Sequence, residues 1–582
     1  MASTTNKGFA GRYLPILKWL PNYNREFLVG DITAGIVVAI MLVPQSMAYA
    51  SLAGLPAQVG LYASILPLVV YAFLGSSRVL AVGPVAMVSL LTLSGIGELA
   101  PSGTAEFIAL ALLLALLAGL IQLAMGLFRL GFLVNYLSHP VLVGFTSAAA
   151  IVIGFSQVKH ILGVTISRTE RPYEIFGVLY EALPAVHSTT LIIGIVAIAV
   201  LLYFKRYLAG QLMSLGVEQK TAAPIAKAGP LVVVLLGTLL VWGFALNGES
   251  GVSVVGNIPM GFPEIGIPGI EFANLTALLP IALIISLVGF TESISIATTL
   301  ASKKRQKVDA NQELIALGAA NVAASFSGGY PVTGGLSRSA VNDAAGANTA
   351  VASIITAVLI VLTVLFLTPL FYFLPSAVLG AIVIVAVAGL FDFRSMIHIW
   401  KYDRFDALAL FATFFGVLAF SIEAGIGIGA ATALLLYLYR TSKPHVAVVG
   451  RVGDTEHFRN VLRHEVRTCP ETHAVRIDES LYFANSRELE NCLLGAAAEN
   501  RDLKSIVLIC SAVNSIDASA LETLERVDEE LSSAGVTLYL AEVKGPVTDR
   551  LREIGFLDKF GEDRIFLSTH LAFEKLGCKK HD

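Results

Sequence analysis

Long stretches of apolar residues follow one another through the first three quarters of the chain, and they constrain the fold more than any other feature. Eleven stretches are clear, and several hold enough residues for a helix to cross about 30 Å of hydrocarbon. Three further stretches, at 80–97, 312–327 and 331–345, are too apolar for loops and too interrupted for simple spans. The sequence therefore predicts an α-helical polytopic membrane protein with fourteen transmembrane segments.

Charged residues divide the chain into two chemically different parts. Residues 1–443 hold 23 Lys+Arg and 19 Asp+Glu, whereas the much shorter stretch 444–582 holds 17 and 24. The sparse first part excludes a disordered chain, a nucleic-acid binder and an ordinary soluble enzyme, because soluble proteins carry about 25% charged residues. We expect an N-terminal cytoplasmic segment at 1–28, a membrane domain at 29–440 and a soluble acidic domain at 445–576.

The lysine and arginine positions predict which side of the membrane each loop faces. If the N-terminus is inside and the fourteen segments alternate, 19 cations fall in inner loops and three in outer loops, while Arg338 falls within an apolar segment. Inner loops of membrane proteins carry an excess of such cations. The bias predicts that the N-terminus and the C-terminal domain are both cytoplasmic. The compact loops favour a bacterial inner (plasma) membrane.

Two of the interrupted stretches are similar and lie at matching places in the two halves of the apolar region. VLAVGPVAMVSLL (79–91) and SFSGGYPVTGGLSRSAV (325–341) each combine a short extended piece, a Gly/Pro break and small residues that open a helix. We expect proline in the first helical turn, where its missing N–H is not needed. Broken helices at corresponding positions indicate 7+7 inverted repeats and a binding site near the middle of the membrane.

The two broken segments have the properties of an anion site. A half-helix that begins within the membrane has free backbone N–H groups and the positive end of its dipole. Two such ends that face each other bind an anion without a cluster of basic side chains. Gly83, Ala86, Gly334 and Gly335 are small enough to let an oxyanion approach the backbone.

Two charged residues stand inside apolar segments, where a charge needs a partner or a cavity. Arg338 either attracts the anion or pairs with a carboxylate or with carbonyl groups. Glu292 is the only acid between residues 274 and 302, and it shares a helix face with Ser295 and Thr299. A carboxylate withdrawn from water can carry a proton. Glu292 is therefore a proton-coupling residue, a cation ligand or a structural partner of Arg338, and we expect its polar strip to face the bundle interior.

Three motifs and the C-terminal domain resemble the sulfate permease (SulP) family of anion transporters. The motifs are VPQSMAYASLAGLPAQVGLYAS (43–64), VGPVAMVSL (82–90) and KVDANQELIALGAANVAASFSGGYPVTGGLSRSAVN (307–342). The resemblance covers nearly the whole chain. It implies fourteen segments in two inverted repeats, a core domain that moves against a gate domain, a cytoplasmic STAS domain and a homodimer.

The resemblance also implies which residues act. Glu292 lies in TESISIA, which is similar to the eighth-segment acid of the proton-coupled sulfate branch. The sodium–bicarbonate branch carries a second acid one turn further along, where this chain has Ile296, and this departure argues against sodium coupling. The implied anion-binding residues, by backbone or side chain, are Gln45, Tyr49, Val85, Ala86, Ser337 and Arg338.

We therefore predict a secondary active transporter of an inorganic oxyanion, with proton-coupled sulfate uptake by alternating access as the leading hypothesis. Sodium-coupled bicarbonate transport or C4-dicarboxylate transport is the alternative on the same scaffold, because backbone anion sites discriminate poorly. Glu292 disfavours an uncoupled anion channel, and Arg338 and the STAS domain disfavour a nucleobase permease. No metal-ligand cluster and no nucleophile–base set appears in the membrane part of the sequence, so we expect neither an enzyme nor a cofactor.

The C-terminal domain alternates strand-like and helical runs, which is typical of a small α/β fold. VRIDESLYFA (475–484) is a predicted strand and SRELENCLLGAAAE (486–499) a predicted helix. NSIDASALETL (514–524) resembles the STAS loop that is phosphorylated in anti-sigma antagonists, but Ala518 replaces one serine and Ser519 remains. We interpret it as a helix cap. The missing serine argues against regulation by phosphorylation, and a cytoplasmic regulator acting through this domain is left open. The four cysteines, all here, lack metal-site spacing, and we expect buried or unreactive thiols.

Overall fold

A computed structural model describes most of the chain. Residues 1–13, and so nearly half of the segment predicted at 1–28, lie outside the described residues. Contacts divide the chain into two compact units, Met1–Ala433 and Leu434–Asp582. The described residues are 14–132, 138–164, 174–218, 222, 225–248, 250–262, 266 and 272–578.

Helices dominate the chain as far as residue 442. Eight described spans are long and apolar enough to cross a membrane, and three more apolar helices are shorter. The described helices in this region are α1 (Ile16–Trp19), α2 (Arg25–Leu52), α3 (Ala57–Tyr62), α4 (Leu66–Leu74), α5 (Ala86–Ile96), α6 (Ala105–Leu127), α7 (His139–Leu162), α8 (Glu174–Ala182), α9 (Ser188–Tyr203), α10 (Ala209–Ser214), α11 (Gly229–Gly243), α12 (Phe272–Lys303), α13 (Ala310–Phe326), α14 (Leu336–Ala344), α15 (Val351–Leu362), α16 (Ser376–Val387), α17 (Phe393–Tyr402), α18 (Arg404–Ala419) and α19 (Ile422–Ser442).

These helices supply the fourteen predicted segments within the described part of the chain. The pair α3–α4 forms the second segment, and α5 and α14 form the third and tenth as half-length helices. The helices α1, α8, α10 and α17 are short additions to the fourteen. The architecture is therefore the predicted helical membrane fold.

Polar caps explain where several membrane helices begin. The Asn24 side chain accepts the Phe27 N–H at 2.8 Å at the start of α2. The Asp309 carboxylate accepts the N–H groups of Asn311 and Gln312 at the start of α13, at 3.0 and 3.2 Å. Such side chains satisfy first-turn N–H groups that have no helical partner. The chain thus encodes these entry points locally.

The buried carboxylate of Glu313 fixes the loop that leads into the first broken segment. It accepts hydrogen bonds from the Tyr71 hydroxyl at 2.7 Å, from the Ser76 N–H and hydroxyl at 2.7 Å each, and from the Ser77 N–H at 3.0 Å. Four donors stabilise a carboxylate away from water. The first turn of α13 therefore holds the chain just before the candidate site.

Helices α6 and α13 cross with their backbones in close contact through two glycines. A Cβ atom on Gly119 would lie 2.7 Å from the Val322 nitrogen, and one on Gly318 would lie 2.6 Å from the Leu123 nitrogen. Small residues let membrane helices approach this closely. The crossing anchors α13, which leads into the second broken segment.

We expect Gly318→Ala to destabilise the protein. The new methyl group would press on backbone atoms that cannot move independently, and such overpacking costs about 1–3 kcal/mol. Thermal unfolding of the detergent-solubilised protein should show a lower melting temperature than wild type. Gly154→Ala is the matched control, because a Cβ atom there meets nothing within 4 Å. Equal melting temperatures for the two variants would contradict the close crossing.

The second unit contains a mixed sheet. Its strands are β3 (Val446–Arg451), β4 (Phe458–Asn460), β5 (Thr472–Ile477), β6 (Ser505–Ile509), β7 (Thr537–Ala541) and β8 (Ile565–Phe566). The strand order is β4-β3-β5-β6-β7-β8, in which β3 is antiparallel to both of its neighbours and β5 to β8 run parallel. The helices are α20 (Ser486–Glu499), α21 (Ala518–Ser533), α22 (Gly545–Glu553), α23 (Phe556–Phe560) and α24 (Thr569–Lys575).

The interpretation of the 514–524 loop as a helix cap is confirmed for its aspartate. Asp517 accepts the Ala520 N–H at 2.8 Å at the start of α21 and also the Phe483 N–H at 2.8 Å. Ser519 lies exposed in the first turn of the same helix. The aspartate therefore begins the helix and also holds the neighbouring loop.

The expectation for the cysteines is wrong for one pair. Cys469 and Cys578 form a disulfide with a Cα–Cα distance of 5.9 Å. They are 109 positions apart, and they meet because the chain after α24 returns to the start of β5. No local spacing could reveal that contact. Cys492 and Cys510 are free thiols, and burial raises their pKa values to about 11 and about 12, so both are unreactive at neutral pH.

Candidate anion-binding site

The two broken segments meet in a short antiparallel strand pair. Strand β1 (Val82–Gly83) pairs with β2 (Thr333–Gly334), with Val82 opposite Gly334. Beyond the pair, the Gly335 N–H donates to the Ala81 carbonyl at 3.1 Å. Because the strands are antiparallel, the helices that follow them leave in opposite directions. The starts of α5 and α14 therefore face each other across the strand pair.

Both helix starts leave backbone N–H groups available. Val85 is the cap residue of α5 and Gly335 that of α14, and in the described structure neither helix has a side-chain cap. Helices α2, α6 and α13 do begin with a side-chain cap, whereas α7, α11, α15 and α16 do not. Pro84 precedes the Val85 cap, so the expectation of proline within the first turn is wrong here. Uncapped N-termini attract negative charge.

Arg338 lies between the two helix starts and is only 2% exposed. Its Nη1 donates to the Pro84 carbonyl, which joins α14 to the chain before α5. Within the described part of the chain, its Nε and Nη2 are buried and have no hydrogen-bond partner. A Cβ atom on Gly335 would come within 2.8 Å of Nη2, so glycine makes room for the guanidinium. Arg338 thus combines a carbonyl contact with two free donor nitrogens.

The residues predicted on α2 lie next to this group. Gln45 and Tyr49 are one turn apart and nearly buried. Neither side chain makes a hydrogen bond to the described residues. Tyr49 is close enough to both Arg338 and Glu292 to interact electrostatically with them. Their polar atoms are therefore free to bind a small ligand.

The remaining predicted residues follow the two helix starts. Val85 and Ala86 are buried at the start of α5, as a backbone contribution requires. Ser337 is exposed in the first turn of α14, beside the exposed Leu336. Their assignment as anion-binding residues stays a prediction. Their positions place the predicted contacts at the starts of α5 and α14.

Glu292 lies on α12, half-buried and within electrostatic reach of Arg338. Among the described residues the two do not form an ion pair within 4.0 Å. Ser295 and Thr299 on the same side of the helix are exposed. The opposite side of the helix, at Ser293, makes the tertiary contacts. The expectation that this strip faces the bundle interior stays a prediction. In the described part of the chain, Glu292 is a carboxylate without an ion-pair partner.

Sequence reasoning missed the polar residues that hold the strand pair. Asn321 on α13 accepts the Val332 N–H at 2.7 Å and donates to the Val332 carbonyl at 3.1 Å. The Tyr330 hydroxyl lies 2.8 Å from the Ser89 hydroxyl on α5. Each is an isolated polar residue in an apolar or glycine-rich context. The one sequence signal for these residues is that each is polar and lies near a Gly/Pro break. That signal does not reveal which groups they bond to.

Comparison with known proteins agrees with this geometry. Residues 28–413 match the sulfate permease family, and residues 464–572 match the STAS domain. The chain belongs to the sulfate permease family. The protein is therefore a multi-pass membrane transporter of anions and not an enzyme.

Sulfate transporters of plants are similar to nearly the whole chain. Sulfate transporter 4.1, chloroplastic, of Arabidopsis thaliana is 36% identical over 572 residues, which is 96% of this chain and 82% of the plant protein. High affinity sulfate transporter 1 of Stylosanthes hamata is 34% identical and covers 97% of this chain and 86% of its own length.

A solved structure shares the whole fold. Murine Solute Carrier 26 family member A9, an anion transporter in the inward-facing state, is 27% identical, with a TM-score of 0.92. The match covers 99% of this chain and 96% of the murine chain. The helical transporter fold with a C-terminal STAS domain is thus the fold of this chain.

Proposed function

We propose that this transporter imports sulfate together with protons by alternating access. One observation carries the proposal. Among the described residues, two donor nitrogens of Arg338 have no hydrogen-bond partner and lie between two helix starts without side-chain caps. They are within electrostatic reach of Glu292, which forms no ion pair there. Positive charge and free N–H groups suit a divalent oxyanion. The names of the plant relatives favour sulfate.

In this mechanism the anion binds at the starts of α5 and α14, with Gln45 and Ser337 as further donors. Sulfate brings two negative charges, and Arg338 offsets only one of them. A proton on Glu292 would remove a third negative charge from the loaded site. The broken segments and their neighbours would then move against the rest of the membrane unit and open the site to the other side.

Sodium-coupled bicarbonate transport is the weaker candidate. A sodium ion needs several oxygen ligands, and one turn after Glu292 the chain has Ile296, which is buried and apolar. This position supplies no ligand.

We further propose a homodimer in a bacterial inner membrane, with the N-terminus and the STAS domain in the cytoplasm. The distribution of cations supports the orientation. A cytoplasmic regulator acting through the STAS domain belongs to the same proposal. Labelling in cells of single cysteines introduced into the membrane loops would test the orientation.

The deciding experiment is uptake of labelled sulfate into proteoliposomes with and without an inward proton gradient. Bicarbonate and fumarate serve as competitors, and a sodium gradient replaces the proton gradient in a parallel sample. Accumulation of sulfate that requires the proton gradient is the expected result. Transport of a competitor without sulfate uptake would reassign the substrate, and a response to sodium alone would overturn proton coupling.

A further inference from the structure

Three hydrogen bonds connect helix α12 to the strand that begins the second half-helix. The Gly334 N–H donates to the Ser293 hydroxyl at 2.8 Å. The Thr333 hydroxyl donates to the Gly289 carbonyl at 2.7 Å. The hydroxyl oxygens of Ser293 and Thr333 lie 2.7 Å apart. All of these groups are buried.

The direction of the middle bond follows from the count of hydrogens. A threonine hydroxyl has one hydrogen, and Thr333 uses it on the Gly289 carbonyl. Ser293 must therefore donate to Thr333. The bonds form one directed chain from the Gly334 N–H through both hydroxyls to the Gly289 carbonyl. Removing either hydroxyl would leave buried polar groups without partners.

Two glycines allow the hydroxyl groups to come this close. A Cβ atom on Gly334 would lie 2.9 Å from the Ser293 hydroxyl oxygen, and one on Gly289 would lie 3.1 Å from the Thr333 hydroxyl oxygen. The sequence thus provides both the hydroxyl residues and the space for them.

This chain of bonds connects the two charged groups of the candidate site. Ser293 directly follows Glu292, while Gly334 is paired with β1 and lies immediately before the cap of α14. A second contact joins the far ends of the same helices, where the Lys304 ammonium lies 2.8 Å from the Asp343 carboxylate. Helices α12 and α14 are therefore joined at both ends of α14.

We propose that Ser293 and Thr333 are positioning residues that fix Glu292 relative to the start of α14. This inference rests on the proposed function and deepens it, since it names the contacts that keep the proton-carrying group at a fixed distance from the anion site. Neither residue touches the anion. With the three hydrogen bonds and the Lys304–Asp343 contact in place, α12 and α14 move as one body, and the charge state of Glu292 acts on the bound anion at a fixed separation.

The test compares Ser293→Ala and Thr333→Val with two matched variants. Thr333→Ser keeps the hydroxyl and should restore wild-type behaviour. Thr298→Val is the control, because the Thr298 hydroxyl donates only within α12, to the Ile294 and Ser295 carbonyls. We expect Ser293→Ala and Thr333→Val to raise the KM for sulfate at least fivefold and to flatten the dependence of uptake on external pH. A merely structural role would lower the amount of folded protein without changing the KM or the pH profile of what remains.

Hydrogen exchange distinguishes failure of this inference from failure of the proposed function. In Ser293→Ala, backbone amides of residues 332–338 should exchange faster than in wild type, whichever anion is transported. Unchanged exchange there would overturn the inference. If exchange rises but the wild-type protein moves no sulfate, the proposed substrate is wrong, and the same variants are measured on the competitor that is transported. A wild-type KM and a wild-type pH profile in both Ser293→Ala and Thr333→Val would also overturn the inference.

Discussion

Arg338→Gln should raise the KM for sulfate by about 30-fold or more. Removing one member of a buried, charged hydrogen-bonded contact costs about 2–5 kcal/mol, and each 1.4 kcal/mol is a factor of ten. The helix starts of α5 and α14 remain, so binding should weaken without disappearing. Initial rates of labelled sulfate uptake over a range of concentrations give the KM directly.

Two further variants make the Arg338 result specific. Arg338→Lys keeps the positive charge but loses the planar set of donors, so its KM should fall between those of Arg338→Gln and wild type. Arg394→Gln removes an exposed cation from α17 and should leave the KM unchanged. A wild-type KM in Arg338→Gln, together with a lower melting temperature, would show that Arg338 only holds the Pro84 carbonyl.

Glu292→Gln should abolish accumulation driven by the proton gradient while sulfate exchange continues. Glutamine is close in shape to a protonated glutamate but cannot release a proton. A gradient of one pH unit supplies about 1.4 kcal/mol per coupled proton, enough for about tenfold accumulation. The variant should therefore equilibrate sulfate without concentrating it. Both quantities are measured in one preparation, as net uptake under a gradient and as exchange without one.

The control for Glu292→Gln is an acid outside the site. Glu106 lies exposed in the first turn of α6, and Glu106→Gln should accumulate sulfate like wild type. Full accumulation by Glu292→Gln would refute the coupling role. Loss of exchange as well would mean that the carboxylate is needed for the transport cycle itself.

Most of the membrane fold could be predicted from sequence because hydrocarbon imposes its own pattern. Runs of apolar residues must be helical to satisfy their backbone groups, and the Gly/Pro breaks marked α5 and α14 correctly. The second unit was harder. The predicted strand at 475–484 is β5, at Thr472–Ile477, because the chain turns after Asp478. Strands β4 and β8, with three and two residues, are too short for a periodic signal.

The candidate site likewise has residues that the sequence predicts and residues that it does not. Arg338 and Glu292 stood out as charges in apolar segments, a signal that needs no knowledge of neighbours. The Ser293–Thr333 contact did not, because serine and threonine in membrane helices commonly bond to their own helix, as Thr298 does. Which hydroxyl turns to a neighbouring segment depends on the crossing of distant parts of the chain. The disulfide between residues 469 and 578 escaped prediction for the same reason.

The pairing of β1 with β2 means that the candidate anion-binding site belongs to neither half of the polypeptide. One strand and one helix start come from before residue 100, and the others come from after residue 330. A fragment ending between the repeats would present an unpaired strand edge and a single helix dipole inside the bilayer. Both are costly in hydrocarbon. During synthesis, the third segment therefore cannot form its strand pair until the tenth segment has been made. We expect the candidate site to be completed late in biogenesis.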